Sequence, residues 1–487
     1  MDKYITNPAL KIEYTNDNDV ILIFEEIPMW IKTTKTGIEI LECFKKEKTV
    51  ETAIKEISKL YDLPEGIISD SINKTVKRFI SLNVLLKSDN ENNVQIKLPE
   101  VEELGLRQIW INLTTVCNFK CKHCFVVDNR EEIFIPKAKI MEVIKEAGKM
   151  GVSQIALSGG EPTLHPDFLE ILEEAAKLER CSIKLVTNAS VGFHKEWKKI
   201  VRMWIPYVND FQVSLDGVDA EVHDAIRGEG SFEQAMEFIK FIHEQKQLLE
   251  REKKAHQCVV GLSFTPTLEN INSIKKLYKF AFENKVDYIH LNRAKKPATD
   301  NYINEQKFLS AEFSEKVYEE YDKMKEEYQA ILNDMRGIDI KMTEIDTTFD
   351  PSNDLVMHLK RRRCGAGYLT MAINPNGDVF PCAALINRKE LLVGNIFDES
   401  LTEIHNKAKK LMNEKFSVEK NEKCRKCSYK YFCGGGCRAT AEEFDKEDRN
   451  CDVIKKRYMK YWESISLPLL KFGEEYCKEI RRLTKHE

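Results

Sequence analysis

No run of about eighteen apolar residues, the length of a membrane-spanning helix, occurs anywhere in this 487-residue chain. Its opening, MDKYITNPALKIEY, lacks the apolar core behind a basic start that marks a secretory signal, so a cytoplasmic protein with no membrane partner is expected. A basic surplus is also missing. The chain has 75 Lys and Arg against 79 Asp and Glu, a formal charge of −4, so little in its bulk charge attracts a phosphate backbone. Nucleic acid is therefore excluded as the main partner. Internal repeats and low-complexity tracts are absent too. What remains is a chain long enough for two or three domains, each with its own core.

Cysteine is present in quantity, at 14 residues, and its placement is uneven. In a long cytoplasmic protein, clustered cysteines point to metal or chemistry rather than disulfides. Cys117, Cys121 and Cys124 form one group; Cys364, Cys382, Cys424, Cys427, Cys433, Cys437 and Cys451 crowd the last quarter. Cys43, Cys181, Cys258 and Cys477 stand alone and read as small buried apolar residues.

Residues 10 to 34 alternate apolar and polar in three runs, LKIEY, VILIF and MWIKT, the pattern of a small antiparallel sheet. From Lys35 the spacing changes to three and four, which predicts three helices. Residues 1–95 thus form an α+β module, closed by the polar linker SDNENNVQIKLPE. Between 105 and 300 the runs IWINL, SQIALSGG, SIKLVTN, DFQVSLDG, VVGLSFT and YIHLN alternate with helical patterns. This is an α/β arrangement of six parallel strands, able to curl into an open barrel. A helical bridge is expected over 301–350, a Cys- and Gly-rich domain over 351–460 in which metal replaces part of the core, and a final helix over 461–487, starting near Cys451.

The triplet in VCNFKCKHCF follows the first barrel strand, where such folds place their chemistry. Three thiolates can hold three irons of a cubane and leave the fourth iron open. A zinc site completed by His123 is the alternative on spacing alone. The next strand ends in Gly159-Gly160-Glu161-Pro162, which allows close backbone approach beside a carboxylate and carbonyls. Asn188 in LVTN, and Ser214 and Asp216 in VSLDG, sit at two later strand ends. Arg227 in HDAIRG is suited to a carboxylate partner.

Together the triplet, GGEP and SLDG resemble the radical S-adenosylmethionine (SAM) superfamily over about residues 105–300. The resemblance implies a partial (βα)6 barrel in which Cys117, Cys121 and Cys124 hold a [4Fe-4S] cluster whose open iron binds SAM. It also implies that Gly159 to Glu161, within the GGEP turn that Pro162 ends, take the methionyl amine. Ser214 and Asp216 would lie by the ribose, Arg227 would meet the carboxylate, and Asn188 would complete the SAM contacts. The C-terminal cysteines resemble the SPASM extension with two auxiliary [4Fe-4S] clusters. On that resemblance Cys364, Cys382 and Cys437 bind one, and Cys424, Cys427, Cys433 and Cys451 the other. Residues 365–381 lack the further cysteine of some relatives, so the first auxiliary cluster has room for a substrate thiolate. Arg361 to Arg363 read as a solvated charge run.

The first module is winged-helix-like, but its 13 Lys and Arg against 15 Asp and Glu over residues 1–90 argue against DNA binding. It resembles the PqqD-like recognition element of enzymes that modify ribosomally made peptides, where a leader peptide adds a strand to the sheet edge. Here that edge is the strand around Met29 to Thr34, beside the helix around Ile68 to Leu86. The combined resemblance implies a peptide maturase that forms thioethers from Cys sulfur to a backbone or side-chain carbon, served by a donor such as flavodoxin or ferredoxin. Carbon–carbon crosslinking and decarboxylation use similar parts. Formylglycine formation would place Asp after the second SPASM cysteine, where this chain has Ala383. An iron–sulfur redox sensor would have no use for GGEP, SLDG and Arg227.

Overall fold

A computed structural model describes residues 2–14, 19–25, 30–88, 105–124, 131–251, 258–292, 310–334, 364–386, 388–441 and 446–464. The linker after Ser88, Arg361 to Arg363, Cys477 and the end of the final helix lie outside the described residues.

The N-terminal part contains the three expected strands, Leu10–Tyr14 (β2), Asp19–Phe24 (β3) and Trp30–Thr34 (β4), as an antiparallel sheet in the order β2-β3-β4. The three expected helices follow: Lys35–Cys43 (α1), Val50–Tyr61 (α2) and Glu65–Ser81 (α3). Thr34 and Thr49 cap the first two, each accepting a backbone N–H from three residues on, which satisfies a donor the helix cannot. A second small sheet joins Lys3–Thr6 (β1) to Lys48–Thr49 (β5) and Leu85–Lys87 (β6), strands too short to show a period in the sequence.

The central strand explains its own composition. DVILIF is apolar without alternation because both faces are covered. Val20, Leu22 and Phe24 pack on the helices, through Ile40, Ile54 and Phe79 among others. Ile21 and Ile23 face the other way, against Tyr429, Phe432, Ile454 and Tyr458 of the C-terminal region.

Six parallel strands form the barrel sheet: Gln108–Asn112 (β7), Gln154–Ser158 (β8), Ser182–Thr187 (β9), Asp210–Ser214 (β10), Val259–Phe264 (β11) and Tyr288–Leu291 (β12). Lys137–Lys149 (α4), Phe168–Ala175 (α5), Trp197–Trp204 (α6), Ala220–Arg227 (α7), Ser231–Arg251 (α8) and Leu277–Glu283 (α9) connect and cover them. Residues such as Ile109, Ile111, Ile155, Leu185, Phe211 and Leu262 face those helices and form the main core. Burying each contributes about 1.5–3 kcal/mol.

Ala311–Asp334 (α10) supplies the expected bridging helix. The C-terminal region then joins the same sheet. Thr370–Ile373 (β13) pairs parallel with β7, and Asp378–Phe380 (β14) and Gly394–Asn395 (β15) extend it antiparallel into nine strands. Leu401–Lys415 (α11) is a regular helix where the Cys- and Gly-rich composition suggested none. Two short helices, Glu422–Arg425 (α12) and Lys430–Cys433 (α13), and then Cys451–Ser464 (α14) complete the described chain. None of the described helices is long and apolar enough to cross a membrane.

The inner face of the barrel is polar. Lys184 pairs with Asp210 at 3.0 Å and donates to Gln212 at 3.0 Å, and Tyr288 donates to Asp210 at 2.7 Å. The Tyr288 ring lies over Gly261, so that an added Cβ would run into the ring. Gly261→Ala should therefore destabilise the chain by about 1–3 kcal/mol, by displacing Tyr288 from Asp210. Urea unfolding of the cluster-free protein measures this, and an unchanged midpoint would show that the ring moves without cost.

Candidate active site and cluster-binding cysteines

The triplet occupies the loop after β7. Val116 N–H donates to the Thr114 hydroxyl at 3.0 Å, and the chain then turns through Cys117, Cys121 and Cys124. The end of β8 lies directly against this loop. Gly160 N–H donates to the Thr114 carbonyl and Glu161 N–H to the Val116 carbonyl, both at 2.8 Å. No side chain fits between them. A Cβ on Gly160 would strike the carbonyls of Val116 and Thr115; one on Gly159, whose φ is +139°, would come within 2.6 Å of Thr114 O. The two glycines are thus required by backbone contact with the cysteine loop.

Glu161 is completely buried. Its Oε1 accepts from the Thr163 hydroxyl at 2.7 Å and the Thr187 hydroxyl at 2.8 Å, and its Oε2 from Asn188 N–H at 2.8 Å. Burial pushes the carboxyl above its ordinary range despite these donors. The carboxylate therefore joins the ends of β8 and β9. Pro162 begins the single 3-10 turn that brings Thr163 round to it. Asn188 then reaches back, its Nδ2 lying 3.6 Å from Cys117 Sγ.

The other side is held from β10 and α7. Asp216, also completely buried, pairs with Arg227 Nε and, at 3.1 Å, with His123 Nε2. Its Oδ1 accepts from Thr265 N–H at 2.8 Å. Burial alone would raise the Asp216 carboxyl, but Arg227 and His123 outweigh it and hold the group well below the usual carboxylate range. Arg227 Nη1 lies 3.7 Å from Cys121 Sγ. Ser214 ends β10 on the barrel's inner side, half-buried. Cys117, Cys121, Gly160, Glu161, Asn188, Asp216 and Arg227 are thus linked by direct contacts, with Gly159 packed on the same loop. Sequence reading missed Thr163, Thr187 and Thr265, and saw in His123 only a zinc ligand. Their common signal was a polar residue beside a strand's C-terminal end, where parallel α/β sheets bind ligands.

The C-terminal cysteines fall into two sets. Cys424, Cys427, Cys433 and Cys451 line one cavity of about 230 Å3. Cys364 and Cys382 pack on another core, around Tyr368, Leu385 and Met412, and Cys437 lies close enough to raise the Cys364 thiol beyond what burial does. Buried Asp448 braces this region, accepting from Cys437 N–H at 2.7 Å and the Thr440 hydroxyl at 2.8 Å. Burial raises both the Cys364 and the Cys424 thiol and the Arg438 guanidinium partly offsets it at each, so Arg438 lies near both sets. It too was not singled out from the sequence.

These donors suit iron–sulfur clusters. Among the described residues no three Cys, His, Asp or Glu side chains converge on one metal ion. A single zinc needs all its ligands within about 2.3 Å of one point, whereas in a cubane each thiolate holds its own iron. Burial pushes the Cys117 thiol up to about 12 and the Cys424 thiol up to about 11, so cluster assembly must displace their protons.

Residues 111–280 match the Radical SAM superfamily, and residues 364–428 match SPASM, an iron–sulfur cluster-binding domain. The chain thus carries a radical SAM domain and a SPASM domain. It is similar to the antilisterial bacteriocin subtilosin biosynthesis protein AlbA of Bacillus subtilis, 25% identical over 444 residues and 88% of each chain. It is also similar to the mycofactocin maturase MftC of Mycolicibacterium smegmatis, 25% identical over 344 residues, 70% of this chain and 81% of that one. Among solved structures, Streptococcus suis SuiB bound to S-adenosylmethionine shares the fold with a TM-score of 0.54 and 17% identity, covering 91% of this chain and 98% of that one. The expected partial radical SAM barrel, followed by a SPASM domain, is thus the observed architecture.

Two outcomes follow for this radical SAM site. Glu161→Gln would leave one amide oxygen for two backbone donors, Thr163 N–H and Asn188 N–H, which now meet separate oxygens, so one buried donor goes unmet at about 1–3 kcal/mol. SAM affinity, read by equilibrium dialysis, should fall about tenfold while bound iron stays constant; unchanged affinity would remove the brace from any role in binding. His223 accepts Asp216 N–H at 3.0 Å, and burial pushes its imidazole down to about 4 from an ordinary 6.5. Its contribution is complete above pH 6.5 and is lost as pH falls toward 4, because the unfolded chain takes the proton first. Urea unfolding should lose about 2 kcal/mol between pH 6.5 and 5, and His223→Gln should flatten that slope.

Proposed function

We propose that this enzyme matures a ribosomally made precursor peptide by joining a Cys sulfur to a backbone or side-chain carbon as a thioether. One observation carries the reading. The site that Cys364, Cys382 and Cys437 would form has three cysteines, with none among residues 365–381 and Ala383 after Cys382. A substrate thiolate can supply the fourth ligand there. Similarity to a bacteriocin biosynthesis protein over 88% of both chains supports a peptide substrate.

Cys117, Cys121 and Cys124 would hold the radical SAM cluster, and the other seven cysteines two auxiliary [4Fe-4S] clusters. When bound, the cluster and SAM supply a 5'-deoxyadenosyl radical that takes a hydrogen from a substrate carbon. Arg227 and Asn188 direct N–H groups at the sulfurs of Cys121 and Cys117. The backbone turn of Gly159 to Glu161, ended by Pro162, would take the methionyl amine, with Ser214 and Asp216 by the ribose. Ser214, Ser263 and His290 stand in one register across β10, β11 and β12 and would meet the peptide.

The N-terminal module resembles a leader-recognition element. Its β4 is an edge strand, and Phe79 of α3 comes within 3.5 Å of a Cβ built on Gly37, the residue against which Thr33 of β4 packs. A leader would extend the sheet at β4 beside α3. The test is anaerobic reconstitution with iron and sulfide, then reaction with dithionite, SAM and a Cys-containing precursor peptide encoded beside the enzyme. The expected product has lost two hydrogens and one alkylatable thiol per crosslink, with matching 5'-deoxyadenosine. A two-hydrogen loss with every peptide thiol still alkylatable would replace thioether formation by carbon–carbon crosslinking.

A further inference from the structure

The outer cysteine cavity differs from the other cysteine sites in what surrounds it. Four lysines, Lys423, Lys426, Lys430 and Lys455, against two carboxylates, Glu447 and Asp448, line it together with Cys424, Cys427, Cys433 and Cys451. Arg425, Lys426 and Lys423 are exposed. Residues 420–430 and 446–456, the two stretches carrying these groups, contain nine Lys and Arg against four Asp and Glu, in a chain whose overall charge is −4. Part of this charge is answered locally. Lys423 pairs with Glu447 at 2.9 Å, Lys426 with Glu422 at 3.9 Å, and Lys430 donates to the Arg425 carbonyl at 3.2 Å while lying over the Tyr431 ring. These exposed pairs neutralise little in water. A positive collar therefore remains around the opening.

We infer that this collar is the docking surface for a small acidic one-electron carrier protein, which reduces the enzyme through the outer auxiliary cluster. The inference rests on the reading that Cys424, Cys427, Cys433 and Cys451 hold a cluster. The reduced carrier loses one electron and the cluster gains one; no bond forms or breaks and no proton need move. Charge of opposite sign on the two surfaces raises the rate of encounter and orients the carrier with its centre toward the cavity. The face also suits the task by position. The triplet's own loop lies at the barrel rim, where SAM and substrate must bind, so a carrier docked on the collar leaves that mouth free. Buried Arg438, near both C-terminal cysteine sets, places a guanidinium on the way inward.

The experiment uses the reconstituted full-length enzyme and an acidic low-potential ferredoxin, reduced in advance. Stopped-flow bleaching of the enzyme's visible absorbance gives the rate of cluster reduction, with dithionite as a small reductant that needs no docking. Iron and sulfide are counted for every sample. Lys426→Glu combined with Lys430→Glu should slow reduction by ferredoxin about tenfold at low salt, and leave reduction by dithionite within about twofold. The wild-type rate with ferredoxin should also fall steeply with added salt. Equal ferredoxin rates for variant and wild type would overturn the inference. So would a variant that binds the precursor peptide more weakly but is reduced normally, which would make the collar a peptide site. Should the double variant fail to load iron, the wild-type salt series decides, and a salt-independent rate rejects the docking surface. A wild-type enzyme whose iron count is short by one cluster, and stays so in Cys451→Ala, would instead reject the cluster reading itself.

Discussion

The site is organised by a contact between two stretches of backbone. The carbonyls of Thr114 and Val116 accept the N–H groups of Gly160 and Glu161, at a separation that leaves no room for a Cβ. Through this contact the cysteine loop, which has little secondary structure of its own, takes its position from a strand of the barrel. Glu161 extends the constraint to the end of β9, and Asn188 returns it to the sulfur of Cys117. On the opposite side Asp216 connects Arg227, and so Cys121, with His123 of the same loop. A loop held by hydrogen bonds from three strand ends and a helix can present its thiolates in a fixed arrangement before any iron arrives, which is what preorganised metal sites require.

The C-terminal region repeats the device with different residues. Asp448 is as deeply placed in its loop as Glu161 is in the barrel, and it holds the turn carrying Cys437 by accepting backbone and hydroxyl donors. Gly436, at φ +72°, has that carboxylate where a Cβ would be. A buried carboxylate costs less to keep when several N–H and O–H groups point at it, and such a group resists displacement because each donor would be left unmet. Both carboxylates therefore work as braces for the loops that carry the cysteines.

Much of this was legible in the sequence, and the portion that was not has a physical reason. The cysteine spacing and the six apolar runs are local patterns, and all six runs became barrel strands. The glycines of SGGEP announced a close approach, and the partner that the structure shows is the cysteine loop. Leu401–Lys415 was missed even though Ser400 and Glu403 form a capping box at its start, because the cysteines around it dominated the reading of composition. Strands β1, β5 and β6 have two to four residues each and exist through pairing between Tyr4, Lys48 and Lys87, far apart in sequence. The packing of Ile21 and Ile23 on Phe432 and Tyr458 spans more than 400 residues and has no local signature beyond the unbroken apolar run of β3.

The polar interior of the barrel bears on what it can hold. Closed eight-stranded barrels fill the centre with layers of branched apolar side chains. Here the register brings Gln108, Gln154 and Ser182 into one row, Lys184 and Asp210 into the next, and Ser214, Ser263 and His290 into the row nearest the cysteine loop. Many of these groups bond one another: Gln154 to Ser182, Trp110 to Gln108, Lys184 to Gln212, and Asn292 to Ser263. An apolar guest in such a lining would strand buried donors and acceptors at about 1–3 kcal/mol each, whereas a peptide carries an N–H and a C=O at nearly every residue and can replace the bonds it breaks. With the β13–β15 hairpin continuing the same sheet from β7, the wall that would face such a peptide runs without interruption from the radical SAM cysteines into the SPASM domain.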